Sequence, residues 1–185
     1  LSINLKPAEA DTGIIFKRTD IKNNNEIKAN YNNVSSAKLC TKLENDHGVS
    51  VSTIEHLMAA LYICGVDNLI VQIDGAEVPI MDGSSIEFVE KIKKTGLKIL
   101  NKNRKFIKII KKIDLKLKDK SIFIEPSADS LKVAFTLSYE NSPLIKSQTN
   151  CVDFKNKNLE NIYSARTFCL YEDIEKVKSL GLAKG

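Results

Sequence analysis

The sequence lacks several features that mark particular classes of protein. No apolar run approaches the ~20 residues of a membrane-spanning helix, and the N-terminus has neither the basic head nor the apolar core of a signal peptide. Of the 28 basic residues, only Arg18, Arg104 and Arg166 are arginines. Proteins that read a nucleic-acid sequence favour Arg because its guanidinium forms bidentate hydrogen bonds. We therefore expect a cytoplasmic protein with no membrane span and no nucleic-acid partner.

Cysteine and histidine are also scarce. The 4 cysteines form no C-x-x-C pair, so we expect reduced thiols buried as small apolar groups. His47 and His56 are the only histidines. A zinc site made of three histidines therefore cannot be formed by this chain alone.

What the sequence has is a globular composition with an uneven charge. It is 43% hydrophobic and 28% charged, with a net charge of +5. Residues 98–120 carry a net +8, and the rest of the chain a net −3. We interpret this lysine-rich segment as a solvated face, and a basic nucleic-acid-binding segment is the weaker alternative.

The first half of the chain shows several strand patterns before its first helix. Apolar and polar residues alternate over 1–5, and short apolar runs at 13–18 and 69–73 are typical of strands. Shorter strands are predicted at 37–43 and around Val49 and Val51, and a polar, Asn-rich loop at 21–33.

Two helices are predicted in this half. The first has a capping box, with Ser52 as N-cap and Glu55 three residues later, followed by an apolar stripe and a stop at Gly65. The second repeats the capping signature at Ser84 and Glu87 and ends before Gly96.

The second half begins again with strands. Alternating residues predict strands at 113–117, 121–125 and 131–139, and helices are predicted at 159–166 and at 173–180, the latter stopped by Gly181. The polar segment 101–105 is the predicted boundary. We expect an α+β fold with a first domain over 1–103 and a second over 104–185.

Glu55 and His56 are adjacent in the first turn of the first predicted helix. One interpretation is structural, with Glu55 as a cap and His56 on the surface. The other is chemical, because a carboxylate beside a metal-bound water is the usual general base. Segment 79–84 also has a structural interpretation beside a functional one, as a loop that leads into a helix with Asp82 and the serines as caps. In segment 164–168, a Thr hydroxyl beside an Arg can stabilise an oxyanion, and the segment can equally be the end of an amphipathic helix.

Taken together, four segments of the chain resemble one family. They are Val-Ser-Thr-Ile-Glu-His-Leu-Met-Ala-Ala-Leu at 51–61, Gly-Val-Asp-Asn at 65–68, Glu-Val-Pro-Ile-Met-Asp-Gly-Ser at 77–84 and Ala-Arg-Thr-Phe at 165–168. In this order they are similar to the zinc-dependent UDP-3-O-acyl-N-acetylglucosamine deacetylases, which act early in lipid A synthesis in Gram-negative bacteria. The resemblance covers nearly the whole chain.

The resemblance implies a role for four residues. Glu55 matches the general base that activates a zinc-bound water, and His56 matches a zinc ligand. Thr167 matches the hydroxyl that stabilises the tetrahedral oxyanion, and Phe168 matches a residue lining the substrate site. The implied fold is two similar α+β layers, each a sheet packed on helices, acting on a small UDP-sugar lipid precursor.

The resemblance also implies that parts of the family pattern lie outside this sequence at both ends, with the family's first strand and a Gly-rich loop expected before Leu1. Two further zinc ligands, a His and an Asp four residues apart, are expected beyond Gly185, with a catalytic Lys and His. We therefore expect a piece of a longer monomeric enzyme, with an incomplete second layer, that is inactive alone. The alternative is a metal-free binding or structural module of the same fold.

Overall fold

The computed structural model describes residues 1–139, 142, 144–156 and 158–179. These form two compact units, one of Leu1–Asn103 with the residues from Tyr163 onward, and one of Arg104–Ile162. Helices and several sheets are present, so the α+β class is confirmed. The division into domains 1–103 and 104–185, and the similarity of the two layers, stay predictions, although the residues from Tyr163 group with the first unit.

The described strands and helices are numbered in chain order. The strands are β1 (Ile3–Pro7), β2 (Ile14–Arg18), β3 (Glu26–Lys28), β4 (Val34–Ser36), β5 (Lys42–Glu44), β6 (Ser50–Val51), β7 (Leu69–Ile73), β8 (Ile113–Leu117), β9 (Lys120–Ile124), β10 (Lys132–Tyr139) and β11 (Lys146–Asp153). The helices are α1 (Glu55–Cys64), α2 (Ile86–Thr95), α3 (Glu160–Tyr163) and α4 (Ile174–Ser179).

The first unit is built on a four-stranded sheet in the order β1-β7-β2-β3. β7 runs antiparallel to β1 and parallel to β2. Its side chains alternate in burial, with Leu69, Val71 and Ile73 turned into the core. The strands predicted at 1–5, 13–18 and 69–73 are confirmed.

A second, three-stranded sheet has the order β4-β5-β6. Two sequence predictions for residues 21–43 are wrong. Segment 21–33 is not only a loop, because it contains β3, whose fully buried Ile27 is paired with Phe16. The strand predicted at 37–43 is wrong over residues 37–41, which form a bend between β4 and β5, and only Lys42 and Leu43 lie in a strand, β5.

The helices α1 and α2 contribute to one hydrophobic core in the first unit. α1 ends at Gly65 in the left-handed conformation and α2 ends at Gly96, as predicted. Every buried core residue that the structure describes lies in this unit. They are Phe16, Ile27, Leu43, Val51, Ile54, Leu57, Ala60, Leu61, Leu69, Val71, Ile73, Val78, Phe88, Val89 and Ile92.

The capping box predicted for α2 is wrong. The N-cap position is Ser85, whose side chain makes no capping hydrogen bond. Ser84 Oγ instead accepts a hydrogen bond from the Ile86 amide at 3.2 Å. Glu87 pairs with Lys91 one turn further along α2, so its carboxylate faces along the helix rather than back to Ser84.

The second unit contains two antiparallel hairpins, β8-β9 and β10-β11. β8, β9 and β10 confirm the predicted strands to within a residue. β11 was not predicted, because its sequence Lys-Ser-Gln-Thr-Asn-Cys-Val-Asp is mostly polar and has no apolar alternation. It is a strand because each of its residues pairs with one of β10.

The helix predicted at 159–166 is shorter than expected, whereas the helix predicted at 173–180 is present as α4 over the residues that the structure describes. α3 spans four residues, and the chain leaves it before Arg166. α4 follows one turn of 3₁₀ helix over Tyr171–Asp173. Its predicted stop at Gly181 lies outside the described residues.

The cysteines are free thiols, as expected, but the prediction that they are buried is wrong. Cys40 and Cys64 are half-buried, and Cys151 and Cys169 are exposed. Burial and desolvation raise the pKa of Cys64. Among the described residues, none of the helices has both the length and the apolar character needed to cross a bilayer.

The ion pair between Arg18 and Asp20 leads to a prediction about how the stability of the protein depends on pH. Arg18 is buried, donates from Nη2 to Asp20 Oδ2 at 2.6 Å and from Nη1 to the Ser50 carbonyl at 2.7 Å. The hydrogen bond from Arg18 lowers the pKa of Asp20. A carboxyl whose folded pKa is lowered stabilises the fold above its unfolded pKa of about 3.9, and this stabilisation is lost as the pH falls through the folded pKa.

We expect Asp20→Asn to lower the free energy of unfolding at neutral pH, with the difference from wild type shrinking below about pH 4. Urea unfolding at a series of pH values measures this, and Asp46→Asn, at an exposed carboxylate, is the control. A deficit for Asp20→Asn that is the same at pH 7 and pH 2 would contradict the account.

The β8-β9 hairpin has an apolar face from which we predict binding of a hydrophobic dye. One of its faces carries Ile113, Leu115, Leu117, Ile122 and Ile124, and these side chains are 43–68% exposed. Such a contiguous apolar face binds hydrophobic dyes. We expect Leu115→Lys to reduce the fluorescence of bound anilinonaphthalene sulfonate by about twofold.

The matched control is Ser121→Lys, which adds the same charge on the opposite face of the hairpin, where Ser121 is paired with Lys116. It should leave the fluorescence unchanged. An equal loss with both variants would show that the added charge, and not the apolar face, controls dye binding.

Candidate functional site

Glu55 is the first residue of α1. Both of its carboxylate oxygens lie within hydrogen-bond distance of the Thr41 amide, at 3.3 and 3.2 Å. The side chain is half-buried, and an acidic residue in the first turn interacts favourably with the helix dipole. The carboxylate is therefore held near the start of α1 while remaining accessible to solvent.

The capping box predicted for α1 is wrong. The N-cap position is Ile54, and no side chain caps the helix. Ser52 Oγ donates instead to the Ala76 carbonyl at 3.0 Å, and Thr53 takes a left-handed φ of 57°. Glu55 is therefore not a capping partner of Ser52, because its carboxylate accepts a hydrogen bond from the Thr41 amide instead.

His56 follows Glu55 and is also half-buried. The next residue, Leu57, is fully buried in the core together with Ala60 and Leu61. Because successive helical residues are ~100° apart, the imidazole lies at the side of α1 next to the buried face. Glu55 and His56 therefore occupy neighbouring, half-buried positions at the start of one well-anchored helix.

Thr167 and Phe168 lie in the chain that follows α3. The Thr167 amide donates to the Gly83 carbonyl at 2.8 Å, and Phe168 is 53% exposed. The Thr167 contact runs to the loop at 77–84, whereas the carboxylate of Glu55 contacts Thr41. The four predicted residues are therefore in two pairs within the first unit, each with its own hydrogen-bond partners.

Asp82 is the charged group beside the second pair. Its Oδ1 accepts hydrogen bonds from the Ser84 amide and hydroxyl, and its Oδ2 accepts one from Arg166 Nε at 3.2 Å. The Ser84 hydroxyl, followed by Arg166, lowers the pKa of Asp82. The sequence predicts Asp82 as a possible cap and carries no signal of its contact with Arg166, which lies 84 residues away along the chain.

A catalytic zinc ion normally has three protein ligands. In the part of the chain that the structure describes, no group of three His, Cys, Asp or Glu side chains could hold a metal ion. His56 fits one ligand position, so these residues alone do not fit a catalytic zinc.

A polar groove with a volume of about 530 Å³ lies elsewhere in the first unit. None of Glu55, His56, Thr167 and Phe168 lines it. Its lining residues are Asn24, Asn25, Glu26, Lys28, Asn33, Asn45, Asp46 and His47.

Comparison with known proteins places these residues in a family. A family model described as LpxC, UDP-3-O-acyl N-acetylglycosamine deacetylase, matches residues 1–185. The chain belongs to the LpxC family. The resemblance found in the motifs at 51–61, 77–84 and 165–168 is therefore confirmed at the level of the family.

Curated LpxC-family relatives agree with this assignment. The chain is 42% identical over 186 residues to the UDP-3-O-acyl-N-acetylglucosamine deacetylase of Citrifermentans bemidjiense, covering all of this chain and 60% of the relative. It is 42% identical to that of Geobacter sp. strain M21, with the same coverage, and 40% identical to that of Colwellia psychrerythraea, covering 61% of it. The chain thus spans about three-fifths of the length of these LpxC-family proteins.

Proposed function

We propose that this chain is part of a hydrolase that removes the acetyl group of UDP-3-O-acyl-N-acetylglucosamine, an early committed step of lipid A biosynthesis in a Gram-negative bacterium. The observation that carries the proposal is the match of the LpxC family model to residues 1–185. The curated relatives are named for this deacetylation. We further propose that the enzyme is cytoplasmic and monomeric.

In the proposed reaction, Glu55 is the general base. Its half-buried carboxylate takes a proton from a water molecule while the water oxygen adds to the acetyl carbonyl carbon. The carbonyl π electrons move to the oxygen, giving a tetrahedral oxyanion. As the C–N bond breaks, the nitrogen takes the proton that Glu55 removed from water, which regenerates the carboxylate. The products are acetic acid, which ionises to acetate, and the free amine of the UDP-sugar.

The Thr41 amide supports this role of Glu55. A carboxylate has about four lone-pair sites, and the contact with Thr41 occupies part of them. The remaining sites can accept a proton from water. The same contact limits the side chain to one region of space, which lowers the entropic cost of placing the base correctly.

Thr167 is proposed to stabilise the oxyanion through its hydroxyl. A positioned donor contributes most when charge develops on the carbonyl oxygen during the reaction. The Thr167 backbone is fixed by its hydrogen bond to Gly83, so its hydroxyl does not have to be reoriented by a large movement of the chain. Phe168, more than half exposed, is proposed to line the substrate site.

Zinc is proposed as the cofactor, with His56 as one ligand. A bound zinc ion lowers the pKa of its water to about 7 and polarises a carbonyl. No described side chains near His56 complete its coordination, and every step above is therefore assigned to residues of this chain. The 185-residue chain assayed by itself is proposed to be inactive.

The second candidate function is a metal-free binding or structural module of the same fold. The observation that favours it is that the described residues contain no cluster of three metal-ligating side chains. The two candidates differ in metal content, because a zinc hydrolase carries about one zinc ion per chain and the module carries none.

A chimaera tests the proposal. Residues 1–185 would replace the matched 186-residue segment of the Citrifermentans bemidjiense relative, with the rest of that protein unchanged. We expect the chimaera to release acetate from UDP-3-O-acyl-N-acetylglucosamine at a rate within about tenfold of the relative. Where residues of the two proteins meet, imperfect core packing can cost a few kcal/mol of stability without loss of the fold. A folded chimaera without activity or zinc, beside an active relative, would support the module instead.

A further inference from the structure

The loop at 77–84 contacts both of the segments that carry the candidate catalytic residues. Its first residue lies against the turn before α1, and its last residues lie against Arg166 and Thr167. All of these residues belong to the first unit. The contacts at the two ends can therefore be compared within one compact body.

At its first end, the loop pairs with the chain just before α1. The Ser52 amide donates to the Ala76 carbonyl at 2.9 Å, and the Val78 amide donates to the Ser52 carbonyl at 3.0 Å. Val78 is fully buried, which anchors the loop in the core. This short parallel bridge at Ser52 fixes where the chain enters α1, three residues before Glu55.

Thr53 adds a side-chain contact at the same end. Thr53 is buried, and its hydroxyl donates to Glu77 Oε1 at 2.9 Å. Its φ of 57° is rare for a β-branched residue. A conformation of this kind persists where the surroundings enforce it, and here the Glu77 carboxylate and the bridge do so.

At its other end, the loop holds the segment after α3. Asp82 accepts from Arg166 Nε at 3.2 Å, and the next residue, Gly83, accepts from the Thr167 amide at 2.8 Å. Gly83 has a φ of 84°, and a Cβ built at this position would lie 3.7 Å from Thr167 Cγ2. The loop backbone and Thr167 are therefore in direct van der Waals reach.

The orientation of Asp82 is itself fixed. Its Oδ1 accepts from the Ser84 amide at 3.0 Å and from the Ser84 hydroxyl at 2.7 Å. Ser84 is fully buried. The other oxygen, Oδ2, is thereby directed to Arg166, so the buried serine determines which atom of the carboxylate holds the segment after α3.

We infer that the loop at 77–84 is a positioning element for the hydrolytic site, in which Glu77 orients the start of α1 that carries Glu55 and His56, and Asp82 orients Arg166 and Thr167. Neither Glu77 nor Asp82 is assigned a contact with substrate. The inference rests on the proposed function, since it assigns these contacts to the placement of the base and the oxyanion donor.

Amide exchange in the 185-residue chain tests the structural half of the inference. Asp82→Ala removes the acceptor for Arg166, and we expect it to raise the exchange rate of the Thr167 amide by roughly threefold to tenfold. Asp82→Asn keeps an oxygen acceptor and should recover part of the protection. Asp119→Ala, at an exposed acid in the turn between β8 and β9, is the control and should change nothing at Thr167.

The same experiment applies to the other end of the loop. Thr53→Val removes the hydroxyl and keeps the shape, and we expect faster exchange at the Met58 amide, the first amide of α1 that bonds back to Ile54. Thr53→Ser keeps the hydroxyl and should keep the protection. Unchanged exchange at Thr167 in Asp82→Ala, or equal exchange in Thr53→Val and Thr53→Ser, would overturn the inference.

Kinetics of the chimaera test the functional half. Because an oxyanion donor acts on the transition state and not on substrate binding, Asp82→Ala should lower kcat about tenfold and leave KM within about twofold. A raised KM with unchanged kcat would overturn the positioning role. If the unsubstituted chimaera is inactive, the proposed function has failed, and the exchange rates still decide whether the loop positions the two segments.

Discussion

The chimaera with Glu55→Gln is expected to have a kcat lower by about 10²–10⁴-fold, which is the usual contribution of a general base. Glutamine keeps the size of the side chain and one oxygen acceptor for the Thr41 amide, so the start of α1 should be unchanged. What it loses is the ability to take a proton from water. Steady-state kinetics of acetate release at saturating substrate measure this loss.

The matched control for Glu55→Gln is Glu87→Gln. Glu87 also lies in the first turn of its helix, α2, and pairs with Lys91 on the surface. It should leave kcat within about twofold, because an exposed pair contributes at most ~1 kcal/mol to stability. If Glu55→Gln behaves like Glu87→Gln, the carboxylate of Glu55 only bonds to Thr41 and the assignment of the base is wrong.

The chimaera with His56→Ala is expected to lose its zinc. The substitution removes one of the three protein ligands of a catalytic zinc ion. The affinity of the chimaera for zinc should therefore fall by more than the roughly 100-fold that follows loss of an outer-shell partner. Zinc content after dialysis against a weak chelator measures this without an activity assay. The unsubstituted chimaera should retain about one zinc ion per chain.

His47→Ala is the control for His56→Ala, because these are the 2 histidines of the chain. His47 lines the polar groove and not the start of α1. Its removal should leave the zinc content unchanged. A zinc content that survives His56→Ala would contradict the ligand assignment, and loss with His47→Ala alone would place the metal at the groove.

The elements that sequence patterns predicted correctly are those whose own residues bury a face. β7 alternates buried and half-buried residues, and α1 places Leu57 and Leu61 in the core at helical spacing. The C-terminal end of α1 also carries a local signal, the left-handed Gly65. Such patterns depend on neighbouring residues only, so one sequence is sufficient to recognise them.

The elements that sequence patterns missed depend on distant residues. β11 is polar and is a strand because β10 pairs with it. The helix predicted at 159–166 ends early, at Tyr163, where the following chain bonds to Asp82 and Gly83 instead of to its own previous turn. In both cases a tertiary hydrogen bond outweighs the local preference, and that bond has no signature within either segment.

The candidate site shows the same division. The position of Glu55 and His56 at the start of a helix was predicted within two residues, since the apolar stripe of α1 fixes it. The capping role of Ser52 was wrong, because Ser52 bonds to Ala76, 24 residues away. The contact between Thr53 and Glu77 could not be inferred from one sequence for the same reason.

The measurement that most directly tests the account is the isotopic composition of the product that the chimaera forms in H₂¹⁸O. Hydrolysis of the acetamide by water predicts that mass spectrometry finds one ¹⁸O atom in each acetate released, and that the free amine of the UDP-sugar appears in equal amount. The account would be contradicted by a folded, zinc-loaded chimaera that releases no acetate from a substrate that the Citrifermentans bemidjiense relative deacetylates.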